Sequence, residues 1–434
     1  MAETSNGVVA RVAKALSKIE SNELKATAVS TLFVFILMAS YYILRPVRDS
    51  MASDWTDSEV SLLWNINFFV SAAIVSVYGF AVSRVKLRNV VPAMYGFFSI
   101  SFVAFYFGIS LVSDRDLADK MFYLWVSVFA LFNVSVFWTF MSDTFNAGQA
   151  KRVFAIIAMG ATAGTLVGPA ITALFSGMLG TDTLMLIASL SLVIVIPLVF
   201  YIYHLKATEL GNVQLAADTS RAAIGGKWWQ GFESFVRNPF LLAIGAFILL
   251  YVFIGSFVWF EQKNLLADFS RDERTQILGS VDFLANALTF LMGLFLSGRI
   301  VTRLGMPVAL ALMPVLVCIG LLILAFAPVL TVLLALQVFR RGGNYGLTRP
   351  AREMLYTRVS QEDRFKAKAV IDIVVYRGGD AASSSLFAYL TDGVGLGLAA
   401  VAGVGSAIAA VWATAGAWLG KRFDGISTRE DTNE

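Results

Sequence analysis

The chain has 434 residues, of which 57% are hydrophobic and only 15% are charged. A soluble domain is typically about 25% charged, so this composition excludes a soluble globular protein and indicates an integral membrane protein. The net charge of +4 is explained by the orientation of loops, and we expect no nucleic-acid partner. A single cysteine, Cys318, excludes an internal disulfide, and a single histidine, His204, excludes a histidine-rich metal site.

The N-terminal segment, residues 1–25, is polar and only mildly amphipathic. It lacks the apolar core and small-residue cleavage site of a signal peptide, so we predict a cytoplasmic helix near the membrane surface. Two sets of six apolar windows follow, each long enough to span a bilayer. The windows cover 26–48, 59–82, 90–112, 120–142, 153–176, 183–204, 240–262, 276–298, 306–327, 329–355, 368–391 and 395–419.

A polar stretch between the two sets divides the chain into two membrane halves. We predict six-helix halves at 26–205 and 240–420, a cytoplasmic linker at 206–239 and a cytoplasmic tail at 421–434. The predicted cytoplasmic segments hold most of the 34 Lys and Arg residues, and the external loops hold few. This positive-inside bias places both termini in the cytoplasm.

The two halves also repeat one another. Arg84 and Arg88 after the second window match Arg299 and Arg303 after the eighth at a constant offset, as a six-plus-six duplication predicts. Short basic loops at these two places are typical of the major facilitator architecture, in which the substrate site lies near the bilayer midplane between the halves. We therefore predict an all-α integral membrane protein with twelve transmembrane helices in two six-helix halves.

A five-residue motif occurs twice, each time near the end of an apolar window. The copies are Arg45-Pro46-Val47-Arg48-Asp49 and Arg349-Pro350-Ala351-Arg352-Glu353. Positions i, i+3 and i+4 share a helix face, so the two arginines and the acid of each copy cluster, and each proline predicts a kink. The topology places one copy outside and the other inside, which predicts an outer and an inner gate. The alternative is a coincidence of ordinary juxtamembrane arginines.

Two further arginines, Arg340 and Arg341, lie deep in the tenth window, close to the bilayer centre. Arg377 and Asp380 reach a similar depth in the next window and, three residues apart, can pair. Unpaired buried charge is costly, so the excess of arginine indicates an anionic ligand, since guanidinium groups suit carboxylates and phosphates. The alternative is structural pairing of these arginines with Asp282, Asp372 or Asp380.

Neighbouring side chains complete the predicted substrate site. Asn344 and Tyr345 would orient the ligand, and an aromatic ring such as that of Tyr42 would stack on a base. Glycine pairs at 342–343 and 378–379 predict either close helix packing or a break in the helix. We assign to substrate binding Arg340, Arg341, Asn344, Tyr345, Arg377, Asp380, Tyr42 and Asp282. Candidate proton carriers, although arginine partners would keep them ionised, are Asp49, Asp282 and Asp380.

Two segments carry a family resemblance. The stretch Tyr42-Ile43-Leu44-Arg45-Pro46-Val47-Arg48-Asp49 resembles the first-span motif of the ATP:ADP antiporter family. The segment 344–353, continuing through Phe365-Lys366-Ala367-Lys368 to Asp372 and the stretch 376–380, is similar to a bacterial branch of that family. The resemblance implies a twelve-span major facilitator fold, and the best-known members of the family exchange ATP for ADP. This chain departs from the classical exchangers at Arg48, where they have lysine, and at Gly378-Gly379-Asp380, where they tend to have Gly-Lys-Ser.

Three functions are compatible with this sequence. The first is a secondary transporter, by alternating access, of an organic anion such as ATP, ADP or a related phosphorylated metabolite. The second is a proton-coupled symporter or exporter of another small molecule that uses Asp282 or Asp380, and the third is a membrane sensor without transport. No nucleophile–base constellation or metal-ligand spacing occurs, so we predict no enzyme, metal site or cofactor. We expect a monomer in the bilayer of a bacterial cytoplasmic (inner) membrane.

Overall fold

The computed structural model describes residues 19–84, 87–109, 113–212, 230–359 and 370–431. These residues form helices and connecting turns without a β-strand, which confirms the predicted all-α class. Four predicted features lie wholly or partly outside the described residues: the N-terminal helix over 1–18, the linker over 213–229, the motif at 365–368 and the tail over 432–434.

The first part of the chain forms six long helices, one at each predicted window. They are α1 (Leu24–Met51), α2 (Asp57–Arg84), α3 (Leu87–Ile109), α4 (Arg115–Thr144), α5 (Ala147–Leu179) and α6 (Thr181–Thr208). Side-chain caps explain two of the boundaries. The Asp114 carboxylate accepts the Leu117 backbone N–H before α4, and Asn146 forms a capping box with Gln149 before α5.

The rest of the chain forms helices at the other six windows and one short helix before them. They are α7 (Gln230–Arg237), α8 (Pro239–Leu265), α9 (Arg271–Phe295), α10 (Ser297–Phe326), α11 (Leu330–Gly343), α12 (Arg349–Leu355), α13 (Tyr376–Ala388) and α14 (Leu398–Asp431). A π-helical turn at Asn344–Thr348 joins α11 to α12, and two more, Ile371–Val375 and Tyr389–Gly393, flank α13. Such turns often occur at functional sites.

Nine helices of the described residues are long and apolar enough to cross a membrane: α1, α3, α4, α5, α6, α8, α9, α10 and α14. The π-helical turns divide two of the three other predicted spans, so the number twelve stays a prediction. Large apolar side chains are widely exposed, among them Ile100, Met178 and Phe326 at 71%, 80% and 89%. A surface of this kind is unfavourable in water and favourable against lipid.

The two prolines of the repeated motif, Pro46 and Pro350, lie in different helical surroundings. Helix α1 continues through Pro46 to Met51 as a single α-helix. Pro350 lies at the start of α12, directly after the π-helical turn Asn344–Thr348. The second proline therefore follows a local change of helix type, whereas the first is accommodated within a regular helix.

The chain divides into two compact units. The first contains Met1–Met51, Val70–Ile224 and Arg271–Ser280, and the second contains Ala52–Phe69, Gly225–Ser270 and Val281–Glu434. The boundary between units passes through α2 and α9, so each of these helices contributes residues to both. The six-helix halves predicted from the sequence stay a prediction beside this division.

In the first unit, α1 packs directly on α5 through a stripe of glycines four residues apart. A Cβ atom added at Gly160, Gly164 or Gly168 would come within 2.5 Å of a backbone carbonyl oxygen of α1. Glycines at this spacing let two helix backbones approach closely in a membrane. Buried aromatic rings fill the space behind this contact, including Phe33 edge-on to Phe137 at 5.0 Å between ring centroids.

The core of the second unit lies between α8, α10 and α14. Trp412 of α14 is fully buried and lies 5.6 Å from the ring of Phe247 on α8. Gly416 of α14 faces the carbonyl oxygen of Leu310 on α10, where an added Cβ would come within 2.8 Å. Close glycine contacts thus bring α10 and α14 together, and α11 packs against α8 and α10 in the same unit.

Candidate functional site

The two deep arginines are held at the end of α11 by glycines that follow them. A Cβ atom at Gly342 would clash with Leu288 of α9, and one at Gly343 would clash with Met313 of α10. The chain remains helical through both glycines and enters the π-helical turn at Asn344. Of the two predicted roles for this glycine pair, the structure therefore shows close helix packing.

Arg341 is neutralised within the second unit. Its Nη1 donates a short hydrogen bond to Oδ1 of Asp282 on α9, and both side chains are buried. Breaking a buried pair of this kind leaves an uncompensated charge. The structural alternative considered for these arginines is thus what the structure shows at Arg341, and Asp282 is an ion-pair partner in this conformation.

Arg340 has different partners. Its Nε and Nη2 donate to Oε1 of Gln337, one turn earlier on α11, at 3.1 and 2.6 Å. Its guanidinium lies 6.0 Å from the ring centroid of Tyr251, and it borders Gly255, where an added Cβ would meet Nη1 at 3.2 Å. No carboxylate among the described residues pairs with Arg340, which is 6% exposed. The residue is a buried cation whose ring and amide partners are neutral.

An apolar cavity of about 350 Å³ lies beside Arg340, between α10 and α11. Apart from Arg340 its lining is apolar, and it includes the exposed side chains Leu316, Ile323 and Phe339. A phosphate or carboxylate would gain little from such walls. We assign no anion to this cavity.

The π-helical turn places the next two predicted site residues in different surroundings. Asn344 is buried, whereas the Tyr345 side chain is half exposed. The guanidinium of Arg349 lies 5.6 Å from the Tyr345 ring centroid, so this ring already has a cationic neighbour. Gly346 packs against Met292 of α9, which fixes the position of the turn.

Arg377 and Asp380 face each other on α13, as their spacing predicts. Nη1 of Arg377 lies 3.9 Å from Oδ2 of Asp380, and both side chains are only partly buried. At this distance in a partly exposed place the attraction is modest. The side chain of Asp372, the other acid considered as a partner for the deep arginines, lies outside the described side chains.

In the second copy of the repeated motif, Arg352 and Glu353 form a polar cluster with Tyr376 in the second unit. Arg352 is buried and donates from Nη1 to the Tyr376 hydroxyl at 2.7 Å. Its Nη2 lies 3.3 Å from Oε1 of Glu353, which is partly exposed. The cluster thus connects α12 to the start of α13, two segments that flank the residues 360–369.

The first copy belongs to the first unit, where two arginines share one acid. Arg48 donates from Nε and Nη2 to Oδ1 of Asp49 at 2.9 and 2.6 Å, and Nε of Arg45 lies 3.8 Å from Oδ2. Arg48 also donates to Ser127 Oγ at 3.2 Å and lies 5.1 Å from the Tyr123 ring centroid. The predicted clustering of Arg45, Arg48 and Asp49 is confirmed, and α4 supplies two additional partners.

Tyr42 lies one turn before this cluster. Its ring centroid is 5.9 Å from the Arg45 guanidinium carbon and 5.4 Å from the ring of Tyr41, which it meets edge-on. These contacts hold the ring in a defined orientation. Its part in substrate binding stays a prediction.

The sequence did not identify three residues that the structure brings to attention. Gln337 and Tyr251 contact Arg340. Glu261, near the end of α8, is buried and has no hydrogen-bond partner in the described part of the chain. Gln337 was detectable, because it lies three residues before Arg340 on one helix face. Tyr251 and Glu261 carried no local signal, since an aromatic residue inside a span and an acid near its end are both common.

Three comparisons with known proteins add to this geometry. The family model described as Major Facilitator Superfamily matches residues 30–370. ADP,ATP carrier protein 1 of Chlamydia muridarum (strain MoPn / Nigg) is 22% identical, over 88% of this chain and 85% of the carrier. ADP,ATP carrier protein 1 of Chlamydia trachomatis serovar D is also 22% identical, over 99% and 95%. ADP,ATP carrier protein 2, chloroplastic, of Arabidopsis thaliana is 22% identical, over 82% and 67%.

Solved structures show the same fold. The crystal structure of the nucleoside transporter NupG matches with a TM-score of 0.64 over 92% of this chain and 99% of that one, at 14% identity. A bacterial homolog of the human lysosomal transporter Spinster matches with a TM-score of 0.57 over 93% of each chain, at 15% identity. Identities this low establish the fold alone. The family match and the similarity to the carriers confirm the family resemblance predicted from the sequence.

Proposed function

The chain belongs to the Major Facilitator Superfamily, and from that premise we propose that this multi-pass membrane transporter carries a nucleotide or nucleotide-like organic anion. Alternating access is the transport mode that fits this architecture. The extensive similarity to proteins named ADP,ATP carriers supports a nucleotide as the cargo. We assign no catalytic step to the protein.

The observation that carries the proposal is the buried guanidinium of Arg340. It is bound by the neutral Gln337 amide and has no acidic partner in the described part of the second unit. Desolvating a cation without a counter-charge is costly, and an anionic ligand would recover that cost. Arg341 differs, because Asp282 already compensates its charge.

The other site residues have supporting roles in this proposal. Arg340 contacts the phosphate or carboxylate of the ligand through its planar fork. Asn344 and Tyr345, on the π-helical turn that follows, orient the ligand, and the Arg341–Asp282 pair fixes the end of α11. Arg377, Asp380 and Tyr42 remain proposed substrate contacts.

The two copies of the repeated motif are proposed gate elements. Arg45, Arg48 and Asp49 would act at the external side, and Arg349, Arg352 and Glu353 would act at the cytoplasmic side. This assignment rests on the positive-inside bias of the loops. We further propose a monomer in a bacterial cytoplasmic (inner) membrane with both termini in the cytoplasm.

Counter-exchange in proteoliposomes tests the cargo and the site together. Liposomes loaded with ADP are given labelled ATP, and uptake by wild type is compared with Arg340→Ala. Loss of charge-assisted hydrogen bonds worth roughly 1.5–3 kcal/mol predicts a fall in apparent affinity of about tenfold to a hundredfold. Arg340→Lys keeps the charge but not the fork, so we expect an intermediate loss.

Arg237→Ala is the matched control, since Arg237 is exposed and pairs with Glu233 on α7. Equal uptake by R340A and R237A would remove Arg340 from the site. Wild-type uptake of a neutral or cationic compound that nucleotides do not inhibit would instead favour the second function, a proton-coupled symporter or exporter. Ligand binding without flux would favour a sensor.

A further inference from the structure

Glu261 lies near the end of α8 and is 1% exposed. Neither of its carboxyl oxygens has a hydrogen-bond partner in the described part of the chain. Buried carboxylates are normally paired with a cation or bound by several N–H donors. An acid held in this way is exceptional and calls for a chemical explanation.

The nearest cation on α8 already has partners. Lys263 forms an ion pair with Asp57 of α2, with Nζ 2.7 Å from Oδ1, and donates to the Trp55 backbone carbonyl at 2.6 Å. Asn264 donates to the other carboxylate oxygen of Asp57 at 3.1 Å. Lys263 and Asp57 are both buried and neutralise each other. The positive charge of Lys263 is therefore not available to compensate Glu261.

The surrounding elements supply no other compensation. The part of α14 over 398–420 contains no ionisable residue. Arg340 of α11 is bound by Gln337, and Arg377 of α13 faces Asp380, so both cations have partners other than Glu261. Near the end of α13, Asp392 accepts hydrogen bonds from Ser58, and Asp54 in the turn before α2 is exposed. These groups are all acids, as is Asp57, and a negative neighbour makes ionisation of Glu261 less favourable.

Aromatic side chains enclose the adjoining part of α8. Trp64 of α2 lies 5.1 Å from Trp259 and 5.4 Å from Phe260, and the Phe260 ring stacks on Phe387 of α13 at 4.8 Å. Residues 52–69 therefore cover this end of α8. Movement of that segment away from α8 would expose the buried Glu261 carboxyl to water.

We propose that Glu261 is a proton-binding site that couples proton movement to transport. The carboxylate takes a proton from the aqueous phase and becomes a neutral carboxylic acid when residues 52–69 cover it. It returns the proton to water when that segment moves and the group is hydrated, because hydration favours the ionised form. The coupling rests on the transport function proposed above, but protonation of Glu261 does not.

This site differs from the acids that the sequence identified as proton carriers. Asp49 and Asp282 are bound by arginines, and Asp380 faces Arg377. Each of these acids therefore has a positively charged neighbour. Glu261 differs from them because both of its carboxyl oxygens are buried without a hydrogen-bond partner in the described part of the chain.

The first test does not depend on any substrate. The infrared difference spectrum between wild type and Glu261→Gln is recorded at neutral pH in detergent. We expect the C=O stretch of one protonated carboxylic acid in wild type that the variant lacks. Glu233→Gln, at an exposed acid on α7 that pairs with Arg237, should leave that band in place. Carboxylate bands from Glu261 at neutral pH would overturn the proposal, whatever the protein transports.

The second test measures coupling. Proteoliposomes with an internal pH dye are given external ATP, and proton movement is recorded together with nucleotide uptake. We expect E261Q to retain nucleotide exchange at equal pH while losing proton movement and the dependence of uptake on a pH gradient. E233Q should behave as wild type. Proton movement that is unchanged in E261Q would overturn the coupling role.

The two tests separate the failure of one proposal from failure of the other. A protonated Glu261 in a protein that transports no nucleotide would contradict the proposed cargo and support the proton site. An ionised Glu261 in a protein that exchanges nucleotides would do the reverse.

Discussion

Each compact unit contains a charge cluster of the same composition, and the two clusters are arranged differently. Each holds two arginines and one aspartate: Arg45, Arg48 and Asp49 in the first, and Arg340, Arg341 and Asp282 in the second. In the first unit one carboxylate is shared between both arginines. In the second unit Arg341 takes the carboxylate and Arg340 is bound by an amide.

An acid that is shared by two arginines and an acid that is segregated to one arginine have different consequences. A shared acid lowers the cost of both cations, and Ser127 and Tyr123 stabilise Arg48 further. When the acid is segregated to one arginine, that ion pair is neutral and the other arginine keeps an uncompensated charge. Equal charge counts therefore do not make equal sites, and this difference is the reason that we propose an anion site in the second unit.

Asp282→Asn should have the largest effect on stability. It leaves Arg341 buried without a counter-charge, and breaking such a pair typically costs about 3–5 kcal/mol. Thermal unfolding of the purified protein in detergent measures the loss. The matched variant Asp49→Asn should cost less, because Arg45 is partly exposed and Arg48 keeps Ser127.

The double variant Asp282→Leu, Arg341→Leu is the control for this pair. Removing both charges should recover much of the stability that D282N loses, because no unpaired ion remains. If D49N destabilises as much as D282N, the distinction between a shared and a segregated acid has no energetic meaning.

Alanine at the packing glycines should have a smaller effect, and an unequal one. At Gly164 the new methyl group would meet the Phe35 carbonyl oxygen at 2.5 Å, and a helix backbone cannot move aside without shifting α1. Overpacking of this kind typically costs about 1–3 kcal/mol. At Gly343 the obstacle is the Met313 side chain, which can change rotamer, so we expect a smaller loss of thermal stability.

Phe35 and Met313 thus offer a direct comparison of backbone and side-chain obstacles in the two units. Equal losses for G164A and G343A would mean that Met313 is as immobile as a helix backbone. Gly177 on α5, where an added Cβ meets nothing within 4 Å, supplies a control substitution on the same helix as Gly164.

The smallest effect should come from an ion pair outside the membrane-spanning segments. Burial alone would raise the pKa of Glu23, but hydrogen bonds from Arg152 and from the Glu20 backbone N–H lower it below its usual value. A carboxyl with a lowered pKa stabilises the folded state above its unfolded pKa of about 4.3, and that stability is lost as pH falls through the folded value.

Glu23→Gln should therefore lower the unfolding temperature slightly near neutral pH and make its decline in acid shallower. Thermal unfolding of wild type and variant between about pH 7 and pH 4 measures both changes. Glu233→Gln, at an exposed pair with Arg237, should leave the pH dependence as in wild type. Parallel curves for E23Q and wild type would show that Glu23 contributes nothing through its charge.

Much of the site chemistry was readable from the sequence, because it depends on local spacing. Arg45, Arg48 and Asp49 cluster as their positions on one helix face predict, and Arg377 faces Asp380 for the same reason. The partner of Arg341 was named only as one of three acids. Asp282 is 59 residues away, so no local rule selects it.

The sequence by itself determined the all-α membrane class, the places of the helices and the excess of deep arginines. The class and the helix positions follow from the length of the apolar windows, and the arginines are notable because charge is costly in lipid. Both properties can be read from the composition and order of residues along the chain. The tertiary structure alone decided which arginine is neutralised and that Glu261 has no hydrogen-bond partner among the described residues. Both depend on which side chains of distant helices meet, and Lys263, whose partner Trp55 is 208 residues away, shows how far such contacts reach.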